Sequence, residues 1–161
     1  ETVSIKIPAG VEDGMQLKVA GKGNDAPANG VSGDLIVAIT VASHPHLQRE
    51  GDNLHYEMYI SIPEAILGTS AEIKTVTGKV RLKIDAGVQS GKILRLRGKG
   101  IPNIDGYNKG DLLVHINVWT PKTLNKEQKT FFEKMKKNDH FKPKPETTDK
   151  SFFDKVKDMF S

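Results

Sequence analysis

The sequence predicts an all-β fold: two tandem, small β-sandwich-like subdomains, the first one truncated, with a short helical turn between them and a C-terminal helix. Three observations predict it. The first is an internal repeat. Residues 3–41 lie on residues 80–118 without a gap at an offset of 77, as from Lys6 to Lys83, and 17 of the 39 positions are identical. A fixed period means one supersecondary unit used twice, and this period is too long for a solenoid repeat. The second is alternation of apolar and polar residues with period 2 in several short runs, the mark of a half-buried strand. The third is glycine-rich turns between those runs, with almost no helical periodicity before residue 122.

One copy of the unit reads as follows. Val3-Ser4-Ile5-Lys6-Ile7 alternates like a strand, as does Val80-Arg81-Leu82-Lys83-Ile84. Pro8-Ala9-Gly10-Val11-Glu12-Asp13-Gly14 is a turn. Gln16-Leu17-Lys18-Val19 and Ile93-Leu94-Arg95-Leu96-Arg97 are second strands. A Gly-Lys-Gly loop and a polar stretch lead to Gly33-Asp34 or Gly110-Asp111, which opens a third strand over 35–41 or 112–118. Short strands with such turns suggest antiparallel sandwiches.

Between the copies, residues 54–62 alternate as a further strand. Pro63-Glu64-Ala65-Ile66-Leu67-Gly68 is a single helical turn, with Pro at its start and Gly at its end. Residues 71–79 form a hairpin into the second copy. The second copy thus owns a preface of about 25 residues. The same preface for the first copy would fall before residue 1, so the first copy is expected to lack its opening strands in this chain.

After the last strand, Asn125 and Gln128 have the spacing of a capping box. Leu124, Phe131, Phe132 and Met135 then recur at helical spacing, with Lys and Glu on the other side. This stripe either packs on the second subdomain or joins two chains. Residues 138–150 are rich in Pro and Lys and read as a flexible linker. Residues 151–160 form a short amphipathic stretch, too short to be a stable helix alone in water. The expected organisation is a first subdomain at 1–53, a second at 54–121, a helix at 122–137, and linker with tail at 138–161.

The net charge of +4 is unevenly placed. From Lys122 onward there are 11 Lys against 7 Asp and Glu, so the body is neutral and the tail basic. A nucleic-acid binder more often carries its charge on the folded body. Binding of nucleic acid or an acidic partner through Lys92, Arg95, Arg97, Lys99 and the tail is therefore the second reading. No run approaches the ~18 apolar residues that span a bilayer. The chain has no Cys, which excludes disulfides, thiolate zinc sites and Cys nucleophiles and is compatible with a reducing cytoplasm.

Enzyme motifs were sought and are missing. Gly21-Lys22-Gly23 and Gly98-Lys99-Gly100 lack the further glycine of a dinucleotide fingerprint and do not lead into a helix. Gly30-Val31-Ser32-Gly33 has the wrong spacing for a nucleophile elbow. His44-Pro45-His46 offers two His and no third ligand, a poor metal site and a better loop. Asp34 and Asp111 occupy equivalent places in two units, which suits a turn or backbone cap rather than paired acid and base. The reading is a binding module without metal or cofactor, not an enzyme.

Taken together, several stretches resemble the C-terminal region of bacterial DnaJ-type co-chaperones. They are Ile7-Pro8-Ala9-Gly10-Val11, Gly33-Asp34-Leu35, His44-Pro45-His46-Leu47-Gln48-Arg49-Glu50-Gly51-Asp52-Asn53-Leu54, Ala65-Ile66-Leu67-Gly68, Thr77-Gly78-Lys79, Arg95-Leu96-Arg97-Gly98-Lys99-Gly100, Gly110-Asp111-Leu112, Thr120-Pro121 and Lys150-Ser151-Phe152-Phe153. The resemblance implies two client-binding β subdomains and a dimerising helix. It implies capture of unfolded or partly folded polypeptides by addition of a strand to a sheet edge, with side chains in apolar pockets. It further implies delivery to the chaperone DnaK, a cytoplasmic homodimer, and no cofactor. Leu47 stands where the family usually has Phe and would line the groove. Val11, Leu17, Val37 and Ile39 are weaker groove candidates, equally suited to a core. Leu124, Phe131, Phe132 and Met135 match the dimer helix. The family's J-domain, its Cys-rich zinc module and the groove's other wall find no counterpart in these residues. The chain alone is therefore expected not to stimulate DnaK's ATPase and to bind peptide more weakly than the intact protein.

Overall fold

The computed structural model describes residues 2–146 together with 157 and 160. The stretch 151–160, expected to be amphipathic, lies almost wholly outside the described residues. The strands are β1 (Gln16–Val19), β2 (Leu35–Ala38), β3 (Leu47–Glu50), β4 (Asn53–Ser61), β5 (Thr69–Thr75), β6 (Gly78–Ile84), β7 (Ile93–Leu96) and β8 (Leu112–Trp119). The helices are α1 (Ile62–Leu67) and α2 (Lys126–Met135), and a 3-10 turn follows at Asp139–Phe141. The all-β architecture predicted from the repeat is present.

The second copy forms two layers. A four-stranded sheet in the order β3-β4-β8-β7 faces the antiparallel hairpin β5-β6. Leu54, Ile60, Leu112, Val114 and Ile116 from the sheet meet Ile73, Leu82 and Ile84 from the hairpin, and Ala65 of α1 joins the same core. Leu112, Val114 and Ile116 have no exposure at all. These are alternate residues of β8, as the period of 2 requires. Two neighbours beyond α1 explain its brevity and its place. Ser61 Oγ accepts from Glu64 N–H at 3.2 Å, and Glu64 Oε1 accepts from Ser61 N–H at 3.0 Å, a complete capping box. Gly68, at φ +82°, ends the turn and donates its N–H to the Glu64 carbonyl. The backbone N–H of Ser61 holds the Glu64 carboxyl below its ordinary value.

Three features differ from the sequence reading. The central ladder is parallel, not antiparallel: β4 and β8 run side by side from Leu54↔Leu112 to Ser61↔Trp119. A parallel pair needs a long crossover, and here α1, the hairpin and β7 supply it. Next, β3 lies before the expected division at residue 53 and yet pairs with β4, from Leu47↔Tyr56 to Glu50↔Asn53. The expected division, between Asn53 and Leu54, therefore falls inside one sheet, at the start of β4. Finally, residues 3–7 form no strand, although the equivalent 80–84 do. In the second copy those residues pair with β5, whose equivalent for the first copy would precede residue 1. Alternation alone does not make a strand without a ladder partner.

The first copy contributes the two-stranded antiparallel sheet β1-β2. Among the described residues all fully buried apolar side chains belong to the second copy. The backbone bonds nevertheless repeat with the sequence. Gly14 N–H donates to the Ile39 carbonyl at 2.9 Å, and Gly91 N–H to the Ile116 carbonyl at 2.8 Å. Gly21 N–H donates to Asp34 Oδ1 and Gly98 N–H to Asp111 Oδ1, both at 3.0 Å. Lys18 Nζ lies 2.7 Å from Asp34 Oδ2, and Arg95 Nε lies 2.8 Å from Asp111 Oδ2. The two aspartates are thus backbone caps with a cation on the second oxygen.

The Asp34 carboxyl is held below its ordinary value, first by Lys18 and then by the Gly21 N–H. A lowered folded-state value contributes stability above the ordinary carboxylate range, and that contribution is lost as pH falls through the lowered value. Protection of the Gly21 amide, its exchange rate relative to the intrinsic rate at each pH, is expected to fall on acidification. Asp34→Asn should raise exchange at neutral pH and flatten this acid dependence. An unchanged profile would mean that the cap does not hold the turn.

Candidate functional site

A cleft of about 660 Å³ lies where the two copies meet. Val41, Ala42, Leu47, Leu54, Val76 and Ile101 give it apolar walls, and Glu12, Asp13, His44 and Arg49 are among its polar lining. The apolar walls come from five places: the segment that follows β2, strand β3, the start of β4, and two loops of the second copy. β3 is an edge strand of its sheet, and Leu47, Gln48 and Arg49 of its four residues line the cleft.

Leu47 is held in place by the turn before it. His44 Nδ1 accepts from the N–H of both His46 and Leu47, at 3.1 Å each. His44 is therefore a turn cap, and its Nδ1 must be unprotonated in this arrangement. Asp13 Oδ1 accepts from Val41 N–H at 2.8 Å and fixes the opposite wall. Its repeat equivalent, Ser90, does the same for Val118 at 3.2 Å.

Of the sequence-proposed groove residues, Leu47 alone lines this cleft. Val11, Leu17, Val37 and Ile39 are half-buried and lie elsewhere. The repeat shows what their positions do when a copy is whole. Val37 and Ile39 correspond to Val114 and Ile116, which are fully buried, and Val11 and Leu17 correspond to Val88 and Leu94, which pack on the core. Sequence reasoning missed Val41, Val76 and Ile101, and it quoted Arg49 only inside a motif. Val76 and Ile101 sit in loops, where no periodicity marks them.

A second apolar hollow, of about 440 Å³, lies beside α2 and is lined by Ile62, Pro63, Pro121, Leu124, Phe131 and Phe132 among others. The expected capping box is present: Asn125 Oδ1 accepts from Gln128 N–H at 2.9 Å, and Gln128 Oε1 from Asn125 N–H at 3.0 Å. No residue of α2 is buried. Phe131 is 53% exposed, Leu124 is exposed, and Phe132 and Met135 are half-buried. Phe131 and Phe132 meet edge to face at 5.3 Å between ring centroids.

Among the described residues no group of three or more His, Cys, Asp or Glu is placed to hold a metal, and no helix is long and apolar enough to cross a membrane. His55 Nδ1 lies 2.8 Å from His115 Nε2, and His55 Nε2 lies 2.9 Å from Glu50 Oε2, a row across β8, β4 and β3. Arg95, central to the basic strand, is paired with Asp111.

A family model described as "DnaJ C terminal domain" matches residues 1–121. The chain is 51% identical over 160 residues to the "Chaperone protein DnaJ" of Bacteroides thetaiotaomicron, covering 99% of this chain and 40% of that protein. It is 41% identical over 163 residues to the protein of the same name from Salinibacter ruber, covering 100% of this chain and 42% of that one. The chain thus spans about two fifths of the length of the relatives it matches.

Proposed function

The chain belongs to the DnaJ C-terminal domain family, and on that premise we propose that it is the client-binding part of a co-chaperone. Its cleft takes an extended apolar stretch of an unfolded or partly folded polypeptide, and the intact protein passes that client to DnaK. The observation that carries the reading is an apolar cleft along an edge strand, with Leu47 in its wall. Strand addition requires a free edge for generic backbone bonds and pockets for side chains, which suits clients without a fixed sequence. The stripe of Leu124, Phe131, Phe132 and Met135 joins two such chains into a dimer, so that two clefts hold one client with the gain of multivalency. The protein works in the cytoplasm and acts by binding rather than catalysis.

The test is the affinity of the chain for an extended apolar peptide. Leu47→Asp is expected to weaken binding about tenfold or more, by putting a charge into the apolar wall. Leu47→Phe should strengthen it, by adding aromatic area. Affinity insensitive to both changes would place the peptide elsewhere. Binding should also change little between low and moderate salt, whereas contacts to phosphates would weaken steeply.

A further inference from the structure

We propose that Arg49 is the positioning residue that clamps the first repeat copy onto the second and so sets the geometry of the cleft. Its guanidinium uses all three nitrogens on backbone carbonyls. Nη1 donates to the Val11 carbonyl at 2.6 Å, Nη2 to the Gly10 carbonyl at 3.0 Å, and Nε to the Gly51 carbonyl at 2.7 Å. Val11 and Gly10 belong to the first copy's turn, whereas Gly51 is in the β3-β4 hairpin. Glu12 and Asp52 flank the group at 3.7 Å each. The side chain is only 24% exposed. A charge so placed is held by the fold rather than left on a solvated surface.

The turn it grips is pressed directly on the second copy. A Cβ at Gly10 would collide with the Pro102 carbonyl and crowd Ile104 N at 2.9 Å. The equivalent Gly87 has nothing within 4 Å. The same turn is therefore a junction in the first copy and open in the second. Arg49 lies outside the repeated residues 3–41, so the clamp is not part of the repeated unit. It belongs to the joint between units.

Behind Arg49 the joint is held by three further hydrogen bonds. Asp52 carbonyl accepts from Ile101 N–H at 2.8 Å, Asp52 Oδ2 accepts from Asn103 Nδ2 at 2.9 Å, and Asn53 Oδ1 accepts from Asp111 N–H at 2.8 Å. These bonds fix the hairpin and the 101–104 loop as one platform. Arg49 ties Gly10 and Val11 to that platform, and Glu12 and Asp13, next in the chain, line the cleft. Lysine cannot replace it, because one ammonium does not present a planar fork to three separate carbonyls.

The effect on the cleft rests on the proposed function, but the clamp is tested apart from it. The chain has no Cys, so Gln16→Cys on β1 and Lys74→Cys on β5 give one spin-label pair across the joint. The labelled full chain, diluted with an excess of unlabelled chain, is expected to show a single narrow distance distribution. Arg49→Ala, Arg49→Lys and Gly10→Ala should each broaden it. Peptide affinity should fall about tenfold, as expected when a preorganised geometry is lost. If Arg49→Ala unfolds the chain, the Lys variant decides. Distributions that superpose on the parent in Arg49→Lys overturn the clamp, as does recovery of parental affinity by Lys. A parent that binds no peptide sinks the proposed function, while the distances still judge the clamp.

Discussion

Ile116→Ala is expected to lower the free energy of unfolding by about 3 kcal/mol, the cost of emptying a fully packed aliphatic site. Ile39→Ala, the same change at the repeat-equivalent position, should cost less than about 1 kcal/mol. Ile116 has no exposure and lies in the core between the sheet and the β5-β6 hairpin. Ile39 is only half-buried, and the hairpin that would cover it has no counterpart among the described residues. The deleted atoms are identical, so any difference reports burial alone. Urea unfolding followed both by far-UV circular dichroism and by the single Trp, Trp119 at the end of β8, covers both copies and measures each cost. Equal costs would show that Ile39 is packed in solution by something else, such as another chain. Covering Ile39 with a hairpin equivalent to β5-β6 should raise the Ile39→Ala cost toward that of Ile116→Ala.

The double change Phe131→Ser, Phe132→Ser should convert dimers into monomers with little change in secondary structure. Helix α2 keeps its capping box and none of its residues belongs to the buried core, so the β-sheets do not depend on the two rings. The rings border a hollow with Ile62, Pro63 and Pro121. An apolar side chain buried at an interface contributes roughly 1.5–3 kcal/mol. Loss of two rings from each chain removes several such contributions at once. Light scattering on parent and variant gives the mass directly. A monomeric parent would refute the dimer and leave the stripe as local packing.

The repeat made most of the architecture legible. Glycine and aspartate recur at one offset because each closes the same turn, as the paired bonds of Asp34 and Asp111 show. Capping chemistry was equally readable at Asn125 and Pro63, since it is local. What the sequence hid was non-local. Residues 3–7 alternate as well as 80–84 do, and only the partner strand distinguishes them. Parallel pairing of β4 with β8 leaves no local mark, because either orientation uses the same alternation. The cleft was half legible for the same reason. Leu47 stood in a recognisable stretch, whereas Val76 and Ile101 reach it only through tertiary packing. Val37 and Ile39 suit a core as well as a groove in the sequence; they do not line this cleft, and their equivalents Val114 and Ile116 are fully buried.

The parallel ladder also governs how the chain is made. Asn53 and Asp111 are bonded across 58 residues of sequence, and the register beyond them ends at Ser61↔Trp119. During synthesis, at roughly 5–20 residues per second, β4 emerges long before its neighbour exists. For several seconds Leu54 and Ile60 have nothing to pack against except the β3 and β5-β6 hairpins. Pairings of such long range form slowly because loop closure precedes the contacts that reward it. A nascent chain of this kind exposes apolar strands of the sort that the proposed function assigns to clients, and so passes for a time through the same condition.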